Sequence, residues 1–238
     1  MPLVSEKKPK SYREIRYGLV AGAGLILLAA ALIFFTSQPQ TLPPSPTETL
    51  IATHNPSPTP PSPKVGIVSG HWKYDGGAMC PDGTLEVDIN YQIAIEVVKL
   101  LKQKGYEVDL LAEFDPLLQG YEADALVSLH SDSCIPGVSG FKAARAWNSF
   151  IPEIEDRLVD CLYSEYEKVT GLHPHQWSIT IDMHGYHVFG KVAPATPAVI
   201  IEMGFMADDG ELLRYGQDTI AKGIVAGVEC FLEKAKTP

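Results

Sequence analysis

Four side chains of this chain, His71, Glu86, His130 and Glu202, have the types and placement that a divalent metal and an attacking water require. The stretch Val65 to Glu86 opens with a short apolar run, Val65-Gly66-Ile67-Val68, that reads as a buried strand. The run breaks at Ser69-Gly70 and puts His71 on the loop just beyond the strand end. A turn through Asp75, Gly76 and Gly77 follows, then Asp82-Gly83-Thr84 as a helix start, with Glu86 in the first helical turn. Imidazole nitrogens and carboxylate oxygens are ligands that zinc accepts, and a catalytic zinc keeps one position open for water. A solvated histidine and an ordinary helix-start glutamate are the plain alternative for this stretch taken alone.

The elements around these residues decide whether they can meet. Thr84 to Lys104 has helical periodicity, with Ile89, Ile93, Val97, Leu100 and Leu101 on one face and Gly105 as the stop. Tyr106 to Leu111 reads as a strand, Ala125 to Leu129 as another that leads into His130, and Gly140 to Ala146 as a fourth. Pro152 to Thr170 is helical, with Ile154, Leu158, Cys161, Leu162 and Val169 inward and Gly171 ending it. Ala198 to Ile201 is a last buried strand carrying Glu202 at its end, and Asp218 to Lys234 closes the chain as a helix. Alternating strands and helices predict one α/β, three-layer domain with a mixed, mostly parallel sheet flanked by helices. Ligands in such sheets collect at the carboxyl ends of strands. His71, His130 and Glu202 occupy three such ends, with Glu86 one helix away, and that convergence favours a metal site over four separate plain explanations.

The amino-terminal quarter differs in kind. Residues 1–16 carry five basic side chains against two acidic ones and read as a cytoplasmic tail. Residues 17–36 follow as a membrane anchor: Gly18 to Thr36 is uncharged and mostly Ala, Leu, Ile and Phe, and nineteen residues at 1.5 Å each suffice to cross ~30 Å of hydrocarbon. A cleaved signal would have a core of only ~7–15 residues and a small-x-small site, which Phe34-Phe35-Thr36-Ser37-Gln38 does not provide. The basic side stays in the cytoplasm, so the rest faces outward on a single-pass anchor. Residues 37–64 hold nine prolines and nine serines or threonines, too polar for a core, and form a stalk of at most ~87 Å at ~3.1 Å per residue. Residues 65–238 make the folded domain, with 13 Lys/Arg against 26 Asp/Glu. That acidity argues against nucleic acid as a partner.

At these residues the sequence resembles the zinc-dependent N-acetylmuramoyl-L-alanine amidases of bacterial cell walls. Ser69-Gly70-His71, Glu86-Val87-Asp88-Ile89-Asn90, Ser128-Leu129-His130-Ser131-Asp132 and Ile201-Glu202-Met203-Gly204-Phe205-Met206 carry the resemblance, in the family's order. It implies zinc held by His71, Glu86 and His130, and Glu202 as the catalytic glutamate. It implies peptidoglycan as substrate, cut between the lactyl group of N-acetylmuramic acid and the first L-alanine of the stem peptide. No motif names an activator protein. Three departures surround the cleft. Leu110 to Asp124 lacks the arginines the family carries there, Asp208 stands where an asparagine is common, and Trp72-Lys73 replaces a glycine after the first zinc histidine. These motivate a second reading, a zinc carboxypeptidase or amidohydrolase for another amide. A wall-binding module without turnover is the third, and the intact set of four residues speaks against it.

Four cysteines in an exported domain invite disulfides. Cys80 and Cys134 follow the two histidine motifs and are candidates for a bridge, while Cys161 and Cys230 read as buried thiols in helices. His184 and His187 precede the Glu202 strand and read as polar loop residues that can line the cleft, and His173 and His175 as surface loop. Trp72, Trp147 and Trp177 are assigned to packing rather than to sugar stacking.

Overall fold

The computed structural model describes residues 61–235. The basic tail, the anchor expected over 17–36 and the linker up to residue 60 lie outside the described residues. Among the described residues, no helix is long and apolar enough to cross a membrane. The expected linker ends one residue early, because Lys64 already belongs to the first strand.

Five strands build one sheet. They are β1 (Lys64–Ser69), β2 (Glu107–Ala112), β3 (Ala125–Asp132), β4 (Lys142–Ala144) and β5 (Ala198–Phe205), in the order β2-β1-β3-β5-β4. The first four in that order are parallel, and β4 runs antiparallel on the edge. Three long helices, α1 (Glu86–Gln103), α2 (Pro152–Thr170) and α5 (Gln217–Ala235), supply most of the helical cover, with single turns at α3 (Ile181–His184) and α4 (Gly210–Tyr215). The mixed, mostly parallel α/β architecture is the expected one.

Alternation along the strands sorts the two faces. Val65, Ile67, Val127, Leu129, Val199 and Ile201 point to one side and pack with Ile89, Ile93, Val97 and Leu101 of α1, Leu158 and Leu162 of α2, and Ile220, Ile224 and Val228 of α5. Val68, Leu126 and Ile200 point to the other side. There the cover is thinner: Leu118, Tyr121, Met183, Val188 and their neighbours come from short turns. His130 and Glu202 share the parity of Leu126 and Ile200, so both face this lightly covered side.

Sequence and structure differ at several ends. β3 and β5 do not stop before their polar residues; they continue through His130 to Asp132 and through Glu202 to Phe205. Polar side chains inside otherwise apolar strands mimic strand ends. The expected strand 140–146 shortens to three residues, Lys142, Ala143 and Ala144, which pair with β5. Val169 is exposed, and Tyr166 takes the inward place on α2. α2 starts on Pro152, whose missing N–H has no helical partner to lose, and stops on Gly171 at φ 75°, as expected.

The cysteines form two bridges. Cys80–Cys134 ties the loop after β1 to the loop after β3, with Cα atoms 5.2 Å apart. Cys161–Cys230 corrects the expectation of free thiols: α2 and α5 lie against each other, and the two residues meet with Cα atoms 5.7 Å apart. Apolar helical surroundings do not distinguish a buried thiol from half of a buried cystine. Of the tryptophans assigned to packing, Trp72 stacks on Tyr91, whereas Trp147 and Trp177 each lie against one histidine and are otherwise largely exposed.

Candidate metal centre

β1 ends at Ser69, and Gly70 donates its N–H to the Leu129 carbonyl, so the chain turns directly over β3. A Cβ on Gly70 would come within 2.5 Å of the His130 ring. Only glycine lets the two strand ends approach this closely. His71 then adopts φ 65°. A left-handed backbone is uncommon for a residue with a side chain, and such conformations gather at functional sites. Gly77, at φ 65°, closes the other side: a Cβ there would sit 2.6 Å from Glu86 Oε2 and 2.8 Å from His71 Cδ2.

These turns bring three of the expected residues together. Donor atoms of His71, Glu86 and His130 all lie within 4.8 Å of one another. His71 Nε2 is 3.2 Å from Glu86 Oε2, and His130 Nδ1 is 3.1 Å from Glu86 Oε1. Glu86 is held in turn by the N–H groups of Ala78 and Ser131 and by the Asn90 amide. Burial opposes its charge, but hydrogen bonds to His130 and His71 outweigh it and keep the carboxyl well below its ordinary range. Burial likewise opposes charge on His71, and the hydrogen bonds and charges of Glu86 and Asp75 raise it to about 9. His130 is raised by the same balance, with Glu86 its main partner.

The nitrogens that face away from this cluster are also occupied. His71 Nδ1 bonds Asp75, and His130 Nε2 lies 3.3 Å from the Tyr186 hydroxyl and 3.6 Å from Glu113 Oε2. Metal-binding histidines characteristically pass their second N–H to a carboxylate or carbonyl, which fixes the tautomer. A donor set of two imidazoles and one carboxylate, each oriented from behind, fits zinc.

Glu202 stands beside this cluster. It pairs with His130 in the β3–β5 register and with Lys142 across β4. Some of its surface reaches solvent, yet its Oε2 is enclosed without a hydrogen-bond partner. Burial, reinforced by the charges of Glu86 and Asp132 and opposed by His130 and Lys142, pushes its carboxyl up to about 7.

Glu113 is a member of the site that the sequence does not single out. It immediately follows β2, is 5% exposed, and accepts from the His71 backbone N–H, the Tyr186 hydroxyl and His187 Nε2 at 2.9, 3.0 and 2.6 Å. Burial opposes its charge and these donors outweigh burial, holding it below its ordinary range. The strand-end rule that singles out His130 applies equally to Glu113. It is obscured because the stretch from Leu110 is read for its missing arginines. His187 therefore belongs to the cleft rather than to a bystander loop, while His184 stacks on Trp147 and bonds the Arg145 carbonyl. His173 is on the surface as expected, and His175 packs on Trp177 and Phe205.

Comparison with known proteins places this geometry. No curated protein matches the chain in sequence. Among solved structures, AmiC2, an N-acetylmuramoyl-L-alanine amidase of Nostoc punctiforme, is 24% identical with a TM-score of 0.59, covering 72% of this chain and 97% of its own. Ami1, the N-acetylmuramyl-L-alanine amidase of Mycobacterium smegmatis, is 17% identical with a TM-score of 0.60, over 72% and 97%. The CwlD amidase of Clostridioides difficile, solved with the GerS lipoprotein, is 21% identical with a TM-score of 0.58, over 73% and 100%. These likenesses establish the fold. The model of the family described as N-acetylmuramoyl-L-alanine amidase matches residues 65–230, nearly the whole folded domain. With all four motif residues inside that match, the chain belongs to the N-acetylmuramoyl-L-alanine amidase family of peptidoglycan-cleaving enzymes.

Proposed function

We propose that this enzyme is a zinc hydrolase cutting the amide between the lactyl group of N-acetylmuramic acid and L-alanine, with His71, Glu86 and His130 holding the ion and Glu202 moving the proton. The observation that carries this reading is the gathering of three metal-type donors within 4.8 Å beside a carboxylate whose Oε2 is enclosed and unpartnered. Family members are generally zinc-dependent. When bound, zinc supplies Lewis acidity, polarising the amide carbonyl and making a water acidic near neutral pH.

The chain's own residues supply the rest. Glu202 takes a proton from the attacking water and later delivers it to the leaving α-amine of L-alanine. Burial favours the neutral form of this carboxyl and so supports a group that takes up a proton and later gives it back. Glu113 is unsuited to such proton transfer, because three donors fasten its two oxygens and keep it ionised. It instead fixes the His71 backbone and borders His130 Nε2. The Tyr186 phenol, held protonated by burial and by the charge of Glu113, serves that carboxylate as a donor.

The proposal extends to location. Residues 17–36 would anchor the chain with its domain outside the cell membrane, and the proline-rich stalk would carry it toward the wall. Two disulfides in the domain support an oxidising compartment. Hydrolysis of a different amide is the second reading, favoured by Glu113 in the stretch where the resemblance leads one to expect arginine. Mass spectrometry of the products from purified peptidoglycan separates the two. Free L-alanine amino termini together with intact muramic acid lactyl carboxyls support the first, and any other new terminus supports the second.

A further inference from the structure

A cavity of about 420 Å³ opens beside the metal centre, between the first turn of α2, the loop at 146–150 and the segment from His184 to Ala198. Its volume lies within the ~300–1,000 Å³ typical of small-ligand sites. Tyr186 and His187 line it and also face the cluster at Glu113 and His130. Tyr186 and His187 thus lie between the metal centre and the cavity.

The enclosed polar atoms in its lining that lack a partner, on Glu155 and His187, are both acceptors. Glu155 is 5% exposed; its Oε1 accepts from the Ala198 N–H at 3.2 Å, while its Oε2 is enclosed and has no partner. His187 Nδ1 is likewise enclosed and unpartnered, and Nε2 already bonds Glu113. Nearby donors are spent elsewhere. The Thr196 hydroxyl bonds the Tyr121 carbonyl, and His184 Nδ1 bonds the Arg145 carbonyl. The Arg145 guanidinium is fastened to Asp156 and the Ala146 carbonyl. Ser149 is the remaining hydroxyl beside Glu155. No lysine or arginine lines the cavity, while Phe150, Phe189, Val192 and Pro194 give it apolar walls. Leaving a carboxylate oxygen buried and unpaired costs free energy, and a donor arriving with a positive charge offsets that cost. An alkyl chain ending in an ammonium meets every one of these conditions.

We infer that this cavity binds an alkylammonium side chain in the peptide part of the substrate, that of a diamino acid, with the Glu155 carboxylate as counter-ion to its terminal ammonium. This deepens the proposed function and rests on it for the identity of the polymer. Burial, opposed by the nearby Ser149 hydroxyl and by the Ala198 N–H, holds the Glu155 carboxyl above its ordinary range. The incoming ammonium would favour its ionised form.

The test compares two muramoyl peptides that differ only in whether the diamino acid's side-chain amine is free or acetylated. With the zinc-loaded full chain, the free-amine substrate should have a KM at least about tenfold lower, at similar kcat. Glu155→Gln retains an oxygen for the Ala198 N–H and should bring the two KM values together by weakening the free-amine substrate. Calorimetric titration of the corresponding free and acetylated stem peptides onto zinc-loaded Glu202→Gln protein reads the same preference without turnover. That arm decides the inference even if no muramoyl amide is cleaved, an outcome that would count against the proposed function alone. Equal binding of the free and acetylated peptides by the unsubstituted site, or unchanged discrimination in Glu155→Gln, would each overturn the subsite.

Discussion

Replacing Glu113 with alanine should damage both the fold and the metal site, although this residue is not one of the metal donors. The change removes the acceptor for three groups: the His71 N–H at 2.9 Å, the Tyr186 hydroxyl at 3.0 Å and His187 Nε2 at 2.6 Å. A donor stranded in a buried place costs about 1–3 kcal/mol. His71 and His187 keep some access to water, which pulls the sum toward the lower end, so the expected loss of stability is about 3–5 kcal/mol. The carboxylate also stands behind both histidines, through the His71 backbone and at 3.6 Å from His130 Nε2. Loss of such a partner weakens metal binding by about 10–100-fold. Glu113→Gln keeps the shape and one acceptor oxygen and should fall between alanine and the native residue in both respects. Urea denaturation of the metal-free proteins measures the first effect, and competition with a chromophoric chelator the second. If Glu113→Ala kept native zinc affinity within twofold and lost no measurable stability, the role assigned to this carboxylate would be wrong.

Zinc affinity should depend on pH in a defined direction. In the metal-free protein the His71 imidazole is raised to about 9, above its ordinary 6.5, so its contribution to stability is complete below about 6.5 and is lost as pH rises through about 9. Zinc must displace that proton, and the raised His130 adds to the effect, so its affinity should climb at least roughly tenfold per pH unit from 7 toward 9; chelator competition across that range would show a flat profile if Glu86 were not paired with the two histidines. Gly70→Ala should push the His130 ring aside, since the new Cβ falls 2.5 Å from it, and lower zinc affinity at least about tenfold with far-ultraviolet circular dichroism unchanged. Native affinity in that variant would mean that the two strand ends need no such close approach. Replacing both Cys80 and Cys134 with alanine opens a 54-residue loop and should cost about 4 kcal/mol on chain-entropy grounds; denaturation midpoints equal to wild type would place that loop's order elsewhere.

His71, Glu86 and His130 are legible in the sequence because each sits where a simple apolar pattern begins or breaks, and parallel sheets direct strand ends to one edge. Glu202 is legible for the same reason, although β5 runs three residues past it. The strand ends are misread for a physical cause: a side chain aimed into a functional cleft breaks the apolar pattern without breaking the hydrogen-bond ladder. Glu113, Tyr186 and His187 escape because their roles depend on which loops fold over the lightly covered face. That cover consists of single helical turns with no periodicity to read. The Cys161–Cys230 bridge escapes because it depends on the pairing of α2 with α5, 69 residues apart along the chain. The buried Glu155 carboxylate looks in the sequence like any acidic residue near a helix start, and only the closure of β5 against α2 reveals its unpartnered oxygen.

Rates of stem-peptide release from purified peptidoglycan by zinc-loaded wild type and by Glu202→Gln, with metal content recorded on the same samples, bear most directly on the central assignment. The substitution should leave one zinc per chain and lower the rate by about 10²–10⁴-fold, the usual worth of a positioned general base. A Glu202→Gln enzyme that releases stem peptides at close to the wild-type rate would contradict it.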